Sequence, residues 1–189
     1  MGYRKLENTK SKIEAAALAI GSHDGVQCIS ARTIAAACDI STHTIYNNFP
    51  SMQDLIDFIA QKFDRKHLKN VITLVEEGKT WQEIFNIMID KLTRDKAATL
   101  YYISYTNIYG FDPTMENPRA EEFLEVSRKL FDPNGKLSDE LLLILWDYVT
   151  TTALYYSDKI IRKNIEDTKE MRELACKLII SGVDSVTSK

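Results

Sequence analysis

The sequence predicts an all-α protein in two parts, a head of three helices at residues 1–50 and a longer helical body at residues 51–189. Three observations carry this prediction. Apolar residues recur at helical spacing through nearly the whole chain. Only 7 glycines and 4 prolines occur among the 189 residues. No segment shows the alternation of apolar and polar residues that is typical of a strand.

Three helices are predicted in the head, the first over about residues 3–22. Ser30, a good N-cap, begins a short second helix. Asp39 follows it at a tight turn, where Asp tolerates a left-handed backbone. Ser41 then caps a third helix over residues 42–48. The residues of this pair that we expect to face inward are Ile34, Ala35, Cys38, Ile45 and Phe49.

Six further helices are predicted in the body, and Ser51, Thr80 and Ser138 are the caps that begin three of them. Turn-forming residues predict a loop at residues 110–118 and a turn at residues 132–135. The approximate helix positions are residues 51–77, 80–93, 94–109, 120–131, 138–161 and 167–186.

The run over residues 141–156 is the one candidate for a membrane span, LLLILWDYVTTTALYY. It holds Asp147 and three threonines. A spanning helix needs ~20 mostly apolar residues. We therefore expect a buried helix, and no membrane partner.

The third helix carries small polar residues on the side opposite its apolar residues. This is the layout of a helix-turn-helix, whose second helix enters the major groove of DNA and reads base edges. Hydroxyl groups suit phosphate oxygens, and Asn47 suits a bidentate pair with adenine. His43 is open to three readings, a base contact, a phosphate contact or no role. The predicted DNA-binding residues are Ser30, Arg32, Ser41, Thr42, His43, Thr44, Tyr46 and Asn47.

Residues 29–54, ISARTIAAACDISTHTIYNNFPSMQD, resemble the tetracycline-repressor (TetR) family of bacterial transcription regulators. That family's pattern is close to T-x-x-x-I-A-x-x-A-G-V-S-x-G-T-L-Y-x-H-F-x-S-K-x-x-L. Asp39 and His43 stand where the pattern has glycines, and Met52 stands where it has a lysine that contacts a phosphate. The other residues at the places of the pattern are Ser30, Ile34, Ala35, Cys38, Ile40, Ser41, Thr44, Ile45, Tyr46, Asn48, Phe49, Ser51 and Leu55.

This resemblance implies nine helices, three and then six, and a cytoplasmic homodimer that binds double-stranded DNA at a palindromic operator. It also implies a repressor that responds to an unknown small-molecule effector held in the body. A different class stays open, a regulator-like helical protein that acts through protein partners without specific operator binding. An enzyme is not expected, because the chain shows no catalytic motif.

Aromatic residues cluster in the body. Tyr101, Tyr105 and Tyr109 stand at i, i+4 and i+8, which sets them on one face of a helix. This stripe is either a packed core or one wall of a ligand cavity, and the sequence leaves both open. The further aromatic residues that are candidates for the opposite wall are Trp81, Phe85, Trp146 and Tyr155.

The last two helices are too apolar for the surface of a monomer. The family resemblance implies that they pair with their copies in a four-helix bundle about a two-fold axis. A glycine in the last helix permits close approach of the partner helix. The predicted dimerisation residues are Leu142, Leu145, Leu174, Leu178 and Gly182.

The formal net charge is −3, but it is unevenly distributed. Residues 1–69 hold nine Lys/Arg and seven Asp/Glu, a net charge of +2, and the remaining residues a net charge of −5. Such a distribution suits a protein that touches phosphates at one end. The three cysteines show no CxxC spacing, so we expect no disulfide, and we expect neither a metal site nor a cofactor.

Overall fold

The structure is a computed structural model that describes the backbone of residues 2–110, 120–132 and 134–187, without the side chains of residues 2–8, 120, 184, 186 and 187. This part of the chain holds nine α-helices and no strand, which confirms the all-α prediction. A 3-10 turn at Val26–Cys28 links the first two helices. The helices are α1 (Gly2–His23), α2 (Ala31–Cys38), α3 (Thr42–Tyr46), α4 (Met52–Glu76), α5 (Trp81–Arg94), α6 (Lys96–Tyr109), α7 (Ala120–Phe131), α8 (Asp139–Ile161) and α9 (Lys169–Thr187).

The serine and threonine caps that the sequence predicts are present at the helix N-termini. In each, the side-chain oxygen accepts the backbone N–H of the residue three positions later. Each cap thereby satisfies one of the donors that a helix start leaves unpaired. The caps are Ser30, Ser41, Ser51, Thr80 and Ser138.

The chain divides into two compact units, the first formed by Met1–Arg65 and Lys96–Gly110. This unit holds α1, α2, α3, the first half of α4, and α6. It therefore extends beyond residue 50, and the division of function at residue 50 stays a prediction. Its core is formed by the buried side chains of Ile13, Ala17, Ile34, Ile45, Phe49, Leu55, Ile59, Tyr101 and Tyr102.

Helix α6 packs along α1 within the first unit. Gly21 permits this approach, because a Cβ there would lie 2.5 Å from Cδ2 of Tyr101. The Tyr101 hydroxyl donates a hydrogen bond to the carbonyl oxygen of Ile56 at 3.0 Å. The backbone N–H of Val26 donates to the Ser104 hydroxyl at 3.0 Å. These contacts fix α6 to the elements that carry α2 and α3.

The second unit is formed by Lys66–Asp95 and Phe111–Lys189, and α8 packs there against α5 and α7. The rings of Phe123 on α7 and Trp146 on α8 stack with their centroids 5.5 Å apart. Burying each such side chain contributes about 1.5–3 kcal/mol to stability. The core around this stack includes Leu68, Val71, Ile84, Leu124, Leu142 and Leu143.

Asp132 organises the predicted turn at residues 132–135. Its carboxylate accepts the backbone N–H groups of Lys136 at 2.8 Å and Leu137 at 2.9 Å. These bonds, with Leu137 contributing most, hold the pKa of Asp132 below its usual value. Gly135 supplies a φ of 66°, which glycine adopts without strain.

Two other predictions concern the segments at residues 110–118 and 141–156. The predicted loop at residues 110–118 lies outside the described residues except for Gly110, which has a φ of 82°. The run over residues 141–156 lies within α8, and much of it is buried. Among the described residues, no helix combines the length and the apolar character that crossing a membrane requires.

Candidate functional site

Helices α2 and α3 form the helix-turn-helix that the sequence predicts. Asp39 ends α2 with φ 53° and ψ 52°, the left-handed conformation expected for the turn. Ile34 of α2, Ile45 of α3 and Phe49 beyond it are buried and hold the two helices against the rest of the first unit. The motif thus has a buried apolar side and an exposed polar side.

The outward side of α3 is polar and exposed. Ser41, Thr42, His43, Tyr46 and Asn47 are all exposed, and Tyr46 keeps 50% of its surface open. Tyr46 closes α3 and Asn47 is its C-cap, so both lie at the C-terminal end of this short helix. The site contains hydroxyl, imidazole and amide groups, which are suited to hydrogen bonds with phosphates and base edges.

Thr44 differs from its neighbours because it is half-buried. Its hydroxyl lies 2.9 Å from the cap hydroxyl of Ser41, and its backbone N–H donates to the same oxygen at 3.1 Å. Asn48 donates from its side-chain amide to the Thr44 carbonyl oxygen at 2.8 Å. The hydroxyls of Ser41 and Thr44 therefore lie together at the start of α3.

The start of α2 is capped by two reciprocal hydrogen bonds, in which the role of Thr33 was not predicted from the sequence. The Ser30 hydroxyl accepts the backbone N–H of Thr33 at 3.1 Å, and the Thr33 hydroxyl accepts the backbone N–H of Ser30 at 2.9 Å. A serine followed by a threonine three positions on was the available signal. Arg32 is exposed beside this cap.

The seven aromatic residues predicted to bind a ligand are divided between the two units. Tyr101, Tyr105 and Tyr109 lie on α6 in the first unit. Tyr101 is completely buried, and the Tyr105 hydroxyl donates to the carboxylate of Asp57 at 3.0 Å. Burial, together with the negative charge of Asp57, raises the pKa of both tyrosines. Both hydroxyls therefore stay protonated and act as donors.

The other four belong to the second unit: Trp81 is half-buried, Phe85 and Trp146 are buried, and Tyr155 is exposed under the ammonium group of Lys159. Whether any of the seven touches a ligand stays a prediction.

An open groove of about 640 Å³ lies between α5 and α9 in the second unit. None of the seven predicted aromatic residues lines it. Amide, hydroxyl, thiol and charged groups stand on its walls, although most of the lining area is apolar. It is lined by Gln82, Asn86, Asp167, Thr168, Lys169, Arg172, Glu173, Cys176, Lys177 and Ile180.

Arg172 is the central charge of this groove. Its guanidinium donates two hydrogen bonds of 2.7 Å to Asp167 and lies 2.7 Å from the carboxylate of Asp90 on α5. The hydrogen bonds from Arg172 hold the pKa of Asp167 below its usual value. Close by, the Tyr156 hydroxyl is buried without a hydrogen-bond partner in the described part of the chain. Burial, and then the charge of Asp167, raise its pKa.

The five predicted dimerisation residues separate into a buried and an outer group. Leu142 and Leu145 are buried, because they face the core of their own second unit rather than outward. Leu174 and Leu178 on α9 expose 50% and 63% of their surface. Gly182 lies on α9 where an added Cβ would be 2.9 Å from the Tyr148 hydroxyl on α8. Of the five, the large apolar side chains that remain exposed are therefore Leu174 and Leu178, and the dimer contact stays a prediction.

Groups of three or more His, Cys, Asp or Glu side chains suited to hold a metal ion do not occur among the described residues.

Comparison with known proteins adds to this geometry. No protein-family model matches the chain. The chain is similar to the HTH-type transcriptional repressor KstR of Mycobacterium tuberculosis, at 22% identity over 193 residues that cover 98% of this chain and 86% of that protein. It is 28% identical over 95 residues to KstR of Mycolicibacterium smegmatis, a match covering 50% of this chain and 46% of that repressor.

The fold is shared with solved structures. A TetR family transcription regulator from Marinobacter aquaeolei VT8 superposes with a TM-score of 0.72 at 14% identity, covering 95% of this chain and 96% of that one. The transcriptional regulator FadR from Bacillus subtilis, solved in complex with stearoyl-CoA, superposes with a TM-score of 0.61 at 16% identity, covering 91% of this chain and 98% of that one.

The fold and the helix-turn-helix define the class, an all-α protein with a helix-turn-helix near its N-terminus. This is the fold of the TetR family of transcription regulators, and the resemblance to that family is confirmed.

Proposed function

We propose that this protein is a ligand-responsive transcriptional repressor that binds a palindromic operator as a homodimer. The observation that carries the proposal is the outward side of α3, where exposed polar groups are held by a buried apolar side. Such an element presents side chains to the major groove with little loss of conformational entropy. The relatives named above are transcription regulators, and this supports regulation rather than catalysis.

A homodimer is supported by the apolar surface that α8 and α9 leave exposed. Ile144 and Tyr148 stand four residues apart on α8, and Leu174 and Leu178 four residues apart on α9. Large exposed apolar patches mark association sites. A palindromic operator has two half-sites one or more DNA turns apart, about 34 Å each, and a two-fold dimer presents one copy of α3 to each.

A small-molecule effector is supported by the second unit. FadR of Bacillus subtilis was solved with stearoyl-CoA, so a protein of this fold holds a ligand. Here the α5–α9 groove supplies space, and the buried Tyr156 hydroxyl, which has no hydrogen-bond partner among the described residues, supplies an unused polar group. Buried polar groups normally have a hydrogen-bond partner. The aromatic side chains predicted from the sequence remain the alternative contacts.

DNA binding takes place in the compartment that holds the DNA, so the proposal includes a cytoplasmic protein, as the sequence predicts.

The test is fluorescence anisotropy with labelled duplexes of the DNA upstream of the protein's own gene, each competed with random DNA. We expect one duplex to bind at least about 1000-fold more tightly than random DNA, which is the range of specific regulators. Binding that never exceeds the random duplex would overturn operator recognition and favour the class that acts through protein partners. Sedimentation at micromolar concentration tests the dimer, and a monomer would overturn that part.

A further inference from the structure

A lysine outside the helix-turn-helix brings its ammonium group to the junction of α3 and α4. Nζ of Lys10, on α1, lies 5.1 Å from the ring centroid of Phe49 and 4.7 Å from that of Phe58. The two rings meet edge to face with centroids 5.7 Å apart. Phe49 follows α3 closely, and Phe58 lies in the second turn of α4. All three residues belong to the first unit.

The surroundings of Lys10 leave its charge available. Ring faces attract a cation without neutralising it. Lys10 makes no ion pair with a carboxylate in the described part of the chain, whereas Lys62 of the same unit lies 2.9 Å from a Glu14 oxygen. The rings hold the ammonium group in position, and its N–H donors remain for an acceptor outside. A cation held this way loses little side-chain entropy on binding an anion.

The first turn of α4 carries no cation of its own. Met52, Gln53 and Asp54 form it, and the Asp54 carboxylate accepts a hydrogen bond from the Ser51 hydroxyl at 2.7 Å. A phosphate that passes this helix start therefore meets backbone N–H groups and a carboxylate. A positive charge at this point comes from another element, and the ammonium group of Lys10 lies over the ring of Phe49, three residues before α4 begins.

We propose that Lys10 binds a DNA backbone phosphate beside α3 and supplies the charge that Met52 does not. This inference rests on the proposed DNA-binding function and adds to it a residue outside the helix-turn-helix. A phosphate contact carries no sequence information, so Lys10 strengthens binding to all duplexes alike.

The experiment measures the affinity of the full-length protein for random and operator duplexes between about 50 mM and about 200 mM salt. Lys10→Gln removes the charge, Lys10→Arg keeps it, and Lys62→Gln removes a charge elsewhere on the first unit as the matched control. Each lost phosphate contact lowers the slope of log K against log salt by about 0.9, hence about 1.8 for two protomers. We expect this fall in the salt slope for Lys10→Gln alone, and not for Lys10→Arg or Lys62→Gln. Near 0.1 M salt, Lys10→Gln should also bind roughly tenfold more weakly per protomer.

Three results would overturn the inference. One is a salt slope for Lys10→Gln equal to that of the wild type. Another is an equal fall for Lys62→Gln, which would mean that only total charge matters. The third is a wild type that binds no duplex at low salt, which would remove the proposed function as well. If Lys10→Gln fails to fold, Lys10→Met keeps the apolar stem against the rings and gives the same salt-slope reading.

Discussion

Tyr46→Phe tests the proposed contact with DNA, because it should lower operator affinity without lowering the stability of the fold. Tyr46 exposes 50% of its surface at the end of α3, and its hydroxyl makes no hydrogen bond within the described residues. Losing that hydroxyl removes nothing that holds the fold. We therefore expect the free energy of unfolding to change by less than about 0.5 kcal/mol.

The expected effect on operator binding is larger. A hydrogen bond from a neutral hydroxyl to an ionised phosphate oxygen contributes about 1.5–3 kcal/mol. A two-fold complex contains the contact twice, so the loss is about 3 kcal/mol at the low end, or about 150-fold in affinity. Because tyrosine is uncharged, the slope of affinity against salt should not change, in contrast to the loss of a lysine.

The assay is fluorescence anisotropy of labelled operator and random duplexes near physiological salt, with urea unfolding followed in parallel. Tyr155→Phe is the matched control, since it removes the hydroxyl of a tyrosine that is also exposed, to 63%, but lies on α8 in the second unit. Unchanged operator affinity for Tyr46→Phe, at unchanged stability, would refute the role given to this hydroxyl.

Three other predictions follow from the structure. Asn47→Ala should reduce discrimination between operator variants by about 1–3 kcal/mol at one base pair per half-site, read from competition with single-base variants, and uniform weakening would contradict a base contact. Tyr101→Phe removes a fully buried hydrogen bond and should lower the free energy of unfolding in urea by about 1 kcal/mol; the exposed Tyr109→Phe is its control, and equal effects would contradict it. Leu178→Glu should weaken dimerisation by about 3 kcal/mol or more over two copies and abolish operator binding with it, as seen by sedimentation and anisotropy; Lys177→Glu is its control, and an intact dimer would contradict the surface.

Local features of the fold were predictable because they depend on neighbours in sequence. The Ser30 side chain accepts the backbone N–H of Thr33, only three residues later, and Asp39 adopts its left-handed conformation at the end of the same short helix. The buried residues of α2 and α3 follow from helical spacing alone. For the same reason the exposed side of α3 was predictable, except at Thr44, where contact with Ser41 leaves the side chain half-buried.

The role of α6 was not predictable from spacing. Tyr101, Tyr105 and Tyr109 share one helical face, yet their burial falls from complete at Tyr101 to about half at Tyr109. The difference arises because α1 packs along α6, at a position where Gly21 leaves room for the Tyr101 ring. Periodicity reports which residues share a face, but tertiary partners decide how much of that face is covered.

Helix α8 shows a second limit of sequence patterns, and that limit bears on function. Residues 141–146 are apolar on every side of this helix, so periodicity cannot separate Leu142, which fills the core, from Ile144, which is 61% exposed. A helix that is apolar all round is normally buried all round. The described part of the chain leaves Ile144 and Tyr148 on α8 exposed, and Leu174 and Leu178 on α9 are exposed as well. Exposed apolar side chains of this size favour association with a partner. A second copy would be such a partner, with the same surface used twice, which is also the arrangement that a palindromic operator needs.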